Sequence, residues 1–165
     1  MCSSDLLRLT ADGLSVGLDR DGRGGLVSFK TPGGVELAAT PTQVPQLFML
    51  TFSQQAQVPG KEIKLSNVAA RSFDAALRKE EGGGTCATLT YGDFEKGIER
   101  VVCTVRTRAG ESALRWGITV TMAEGWVLEN VQYPRLTLAA PLGESVADDA
   151  AVVGSSKGGG LPQAG

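Results

Sequence analysis

Apolar and polar residues alternate with a period of two along most of this chain. Leu14, Val16 and Leu18 alternate with Ser15, Gly17 and Asp19, the pattern of a strand buried on one face. A turn-forming cluster at 19–25 and an extended run at 26–30 follow, so residues 13–30 predict a hairpin. Residues 35–37 read as a short extended piece. Residues 38–46, with Pro41 and Pro45, read as loop. The apolar run 47–53 predicts a strand buried on both faces. Residues 54–60 predict loop and 62–66 predict strand. Residues 67–80 satisfy both periods. Their alanines favour helix, Arg71, Phe73 and Ala75 alternate, and the β surroundings favour strand. Strands are expected at 85–91 and 98–107, joined by a loop at 92–97. The clearest amphipathic strand sets Leu114, Trp116, Ile118 and Val120 against Arg115, Gly117, Thr119 and Thr121. A turn at 123–125 leads to a returning strand at 126–133, which Pro134 breaks, and 135–139 is a further extended piece.

About ten short strands with glycine-rich turns and no convincing helical period predict an all-β, antiparallel β-sandwich. At 165 residues the chain is long enough for one domain with a real core. Its expected extent is 1–140. The remainder, 141–165, carries a weak pattern, a low-complexity Gly158-Gly159-Gly160 run and no closing strand. It reads as a loop-rich segment of a longer, truncated chain.

Composition then removes whole classes of function. There is no histidine, which excludes Ser-His-Asp and Cys-His catalysis and histidine-ligated metals. A net charge of −2 argues against nucleic acid as a partner. No apolar run approaches the ~18 residues of a membrane span, and residues 1–10 lack the pattern of a signal peptide. Three cysteines, Cys2, Cys86 and Cys103, form no metal or redox spacing. Cys86 and Cys103 fall on expected neighbouring strands. A bridge between them stays open beside the reading as free buried thiols.

The segment Leu114-Arg115-Trp116-Gly117-Ile118-Thr119-Val120, then Gly125-Trp126-Val127-Leu128 and Val131-Gln132-Tyr133-Pro134-Arg135-Leu136, carries a resemblance. So do Pro141-Leu142-Gly143, Asp148-Asp149 and Gly158-Gly159-Gly160-Leu161, and the hairpin ending in Gly-Val-Glu-Leu near Leu37. The chain resembles the N-terminal β-domain of large bacterial glycoside-hydrolase-like proteins. That domain is a β-supersandwich, similar to galactose mutarotase, that precedes a catalytic barrel. The resemblance implies a partial copy of that fold. It also implies a non-catalytic domain that supports the barrel and contacts glycan, with a carbohydrate ligand and the catalytic domain of a longer parent as partners. Mutarotase activity does not carry over, because those enzymes use a histidine. No cofactor is expected. The alternative is a purely structural or protein-interaction sandwich with no sugar site.

Four residues are candidates for carbohydrate contact. Trp126 follows a turn, where a half-exposed indole offers a stacking face and an N–H donor; core packing is its bland reading, as it is for Trp116. Tyr133 precedes Pro134 and is expected under a loop. Phe94, at the tip of the 92–97 loop, is the aromatic expected to be most exposed. Arg135 is planted by Pro134, where it can reach a sugar hydroxyl or make an ordinary structural bond. Asp148 and Asp149 are weak calcium candidates, since adjacent carboxylates without an acidic loop motif are more often a solvated turn. Other carboxylates, such as Glu99 and Glu129, are pairs only the fold can bring together.

Overall fold

The computed structural model describes residues 5–54 and 61–139. Within them the chain is an all-β, antiparallel sandwich with no α-helix. Ten strands form three sheets. β1 (Leu6–Ala11), β2 (Leu14–Asp19) and β3 (Gly25–Lys30) make the first, in that order. β4 (Met49–Gln54) is the centre of the second, between β5 (Ile63–Ser66) and β10 (Trp126–Gln132). The third runs β6 (Ser72–Lys79), β7 (Thr85–Gly92), β8 (Ile98–Thr107), β9 (Arg115–Met122). The ambiguous segment 67–80 resolves into a single 3-10 turn, Asn67–Ala69, and the strand β6. The segment 141–165 and most of the loop 54–60 lie outside the described residues.

One apolar core joins all three sheets. Alternation explains it: Leu7, Leu9 and Ala11 from β1, Leu50 and Phe52 from β4, Leu89 and Tyr91 from β7, and Val101, Cys103 and Val105 from β8 point inward and are buried. Burial of this kind stabilises by roughly 25 cal/mol per Å2 of apolar surface removed from water. β4 has Leu50 and Phe52 inside as its apolar run predicts, but the expected burial on both faces does not hold: on the outward face Thr51 is nearly covered while Met49 and Ser53 are only partly buried, because that face is not packed against another sheet.

Two polar devices lock the core. Tyr91 is fully buried and donates its hydroxyl to the Arg23 carbonyl at 3.0 Å. Burial pushes that phenol well above the ordinary tyrosine range. Gly24 lies beside it at φ +75, and a Cβ there would sit 2.6 Å from the Tyr91 hydroxyl, so glycine is required. Asn67, also fully buried, accepts from Leu47 N–H at 2.9 Å and donates to the Arg23 and Pro45 carbonyls at 3.2 and 3.3 Å. It thereby ties the β2–β3 turn, the 38–46 loop and the β5–β6 link into one unit. No described buried side-chain polar atom lacks a partner.

Cys86 and Cys103 are free. Their strands are neighbours, but Cys86 stands opposite Arg106 and Cys103 opposite Leu89. Their positions differ by an odd number of residues from a shared rung, so the two thiols face opposite sides of the sheet and cannot bridge. Cys103 points into the core, where burial pushes its thiol up to about 12 against a hydrogen bond with Tyr133 that lowers it.

Candidate functional site

The outward face of the β10–β4–β5 sheet is polar because its pleat demands it. Leu50, Phe52, Ile63 and Leu65 occupy the inward positions, and the residues between them must face out. The register places Asn130, Thr51 and Lys64 in one cross-strand row, and Gln132 and Met49 in the next. One irregularity adds a carboxylate. β10 skips a partner between Leu128 and Asn130, so Glu129 and Asn130 together oppose Thr51. This is a β-bulge, a device that re-aims side chains. It leaves Leu128 and Val131 both on the inward face and turns Glu129 outward, where Ser53 Oγ donates to it.

These residues, with Glu62 and Arg135, line an open cleft of about 490 Å3. Carboxylates, amides, a hydroxyl, an ammonium and a guanidinium thus meet on one shallow surface, able to donate and accept hydrogen bonds at many points. Arg135 is fixed from both ends: its backbone N–H donates to the Leu47 carbonyl at 2.8 Å, and its Nη1 donates to Gln46 Oε1. It also lines a second cleft, of about 280 Å3, between the 39–46 loop and residues 135–137. No group of acidic or cysteine side chains among the described residues is arranged to hold a metal ion.

Of the four candidates from the sequence, Arg135 alone lines this cleft. Trp126 is half-buried, meets Phe52 edge-on at 5.6 Å, and roofs Gly97, where a Cβ would approach its ring to 2.8 Å. Tyr133 is half-buried and meets Trp116 edge-on at 6.0 Å, and its hydroxyl donates to the Thr104 carbonyl at 3.1 Å. Burial, then the nearby Cys103, pushes that phenol up. Phe94 differs from the sequence expectation of an exposed loop tip: it is half-buried and packs against the core, where its apolar ring is removed from water. The three aromatics therefore serve packing and are not gathered into one cleft. Asp148 and Asp149 lie outside the described residues. Glu129 shares its cleft with Glu62, and Glu99 does not line it. Sequence reading missed Glu62, Lys64, Asn130 and Gln132. The available signal was the Glu-Asn step that interrupts alternation in 126–132.

No family model, no curated protein and no solved structure matches this chain. No helix among the described residues is long and apolar enough to cross a membrane.

Proposed function

We propose that this chain is a non-catalytic β-sandwich domain of a carbohydrate-active, glycoside-hydrolase-like protein, of the galactose-mutarotase-like type. Its glycan-facing surface is the polar face of the β10–β4–β5 sheet. The observation that carries the reading is the bulge at Glu129, which sets Glu129 and Asn130 beside Thr51, Lys64 and Arg135 on an open surface. Saccharide hydroxyls need this mixture of donors and acceptors. Bound sugar is recognised there by hydrogen bonding, with little stacking, because no aromatic side chain among the described residues lines the cleft. The test is titration of the folded chain with a panel of mono- and oligosaccharides, followed by amide NMR shifts and the melting midpoint. Binding should raise the midpoint, and Asn130→Ala with Arg135→Ala should abolish the shifts while the fold persists. A well-folded chain silent to the whole panel removes this reading.

A second reading, a protein-interaction sandwich, is favoured by a separate observation. The inward apolar side chains of β9 and β10 (Trp116, Ile118, Val120, Met122, Trp126 and Leu128) are only half covered, and Val131 is 38% exposed. Such a surface should bind an apolar fluorescent dye in the native state. Absence of dye binding would count against this reading alone.

A further inference from the structure

Among the described residues, six strands lie at sheet edges: β1, β3, β5, β6, β9 and β10. Edge strands invite pairing, and proteins blunt them with charge, brevity or bulges. β1 carries the exposed Arg8 at its middle, and β6 carries Asp74, Arg78 and Lys79. β5 has four residues and includes Lys64. β10 is bulged at Glu129. The Glu36 carboxylate bonds the Phe29 amide of β3 at 2.6 Å and the Ser28 hydroxyl at 2.6 Å. Among the described residues, β9 has none of these protections. Its residues 116–122 are uncharged, and its one charge, Arg115, sits at the first position, held by Glu111 at 2.9 Å. Eight residues give an edge of about 26 Å.

We infer that β9 pairs antiparallel with β9 of a second copy of this chain, joining two four-stranded sheets into one across a twofold axis. The pattern of β9 is self-complementary. With Thr119 on the axis, Ile118 meets Val120 of the other copy and Trp116 meets its Met122, apolar to apolar, on the inward face. Gly117 and Thr121 meet on the outward face. The half-covered inward row of β9 is then continued by an identical row, which explains why its β8 partners Val101, Cys103 and Val105 are fully buried while it is not. The same register sets Arg115 one residue from Glu124 of the other copy, a favourable charge pair, and places no like charges opposite each other. A contact of this kind is isologous and closes at two copies. It supplies the interaction reading with an occupant and does not touch the glycan cleft, so the two fail separately.

Sedimentation velocity of the full chain over a dilution series tests it. The expected result is a reversible species of twice the 17.2 kDa chain mass. Thr119 is exposed, so Thr119→Lys and Thr119→Glu should keep the native fold by circular dichroism, yet each should sediment as a monomer, because like charges meet on the axis. An equimolar mixture of the two should recover the doubled mass. A native chain that stays monomeric throughout overturns the proposal. So does a Thr119→Lys variant that dimerises as the native chain does, or a mixture that stays monomeric. Native dye binding with a strictly monomeric chain would leave the interaction reading standing with a different partner.

Discussion

β8 and β9 are neighbours in one sheet and carry the same apolar alternation, yet their inward faces differ. Val101, Cys103 and Val105 are fully buried, while Val120, Ile118 and Trp116, their partners on β9, are half covered. The same contrast separates β4 from β10: Leu50 is fully buried and Val131, directly opposite, is 38% exposed. Alternation therefore tells which way a side chain points, and position in the sheet tells whether anything lies over it. The interior closes around β2, β4, β7 and β8 and opens along β9 and β10.

The sharpest break of this contrast is a pair of truncations on one rung. Leu50→Ala should cost about 2–5 kcal/mol, since a closed core cannot collapse into the void. Val131→Ala, on the same rung, should cost under ~1 kcal/mol. Urea midpoints of the two variants measure it, and equal losses would erase the distinction. Next in size is Asn67→Ala. It strands the buried Leu47 amide and loosens the Arg23 and Pro45 carbonyls. A loss of roughly 2–3 kcal/mol is expected, as for other buried groups left unpaired. It should be seen as faster amide exchange at Leu47.

The smallest effect sharpens the contrast through pH. The folded chain holds the Cys103 proton more tightly than the unfolded chain does, because burial raises this thiol to about 12. Stability from this group is full below the unfolded thiol value of ~8.5 and is lost as pH rises from there toward 12. Denaturation midpoints should fall on that alkaline limb, and Cys103→Ala should make its onset between pH ~8.5 and ~10 shallower, the buried Tyr91 and Tyr133 phenols contributing only above that. An unchanged slope would mean that the thiol is not shielded by the closed half. The native thiol should also resist alkylation until the chain unfolds.

Much of the fold was legible because short extended runs between turn clusters leave few options: β2, β3, β7, β8, β9 and β10 fall on the expected strands to within a residue, and β4 falls on the apolar run 47–53 to within one residue at its end. β1 was not singled out as a strand, although Leu7, Leu9 and Ala11 alternate with Arg8 and Thr10 over six residues, as many as β2 has; its pairing with β2 is what defines it. The segment 67–80 stayed ambiguous because alanine fits either structure, and only pairing with β7 decides it. The site was far less legible. Arg135 could be picked out from Pro134, but the cleft joins residues 49–64 with 129–135, and its register is a property of two strands together. Aromatic residues attract attention as sugar platforms, yet in this chain Trp126 and Tyr133 are used to fill the space beside Phe52 and Trp116.

The bulge in β10 has a consequence for changes of chain length. Losing one residue inside a strand ordinarily turns every later side chain to the wrong face. At Glu129 the reverse holds, because Leu128 and Val131 already flank one residue too many. A one-residue deletion there would leave a regular strand with Asn130 still opposite Thr51 and Val131 still opposite Leu50. β10 thus carries a removable residue, and deleting it would strip one carboxylate from the cleft while leaving the strand in phase.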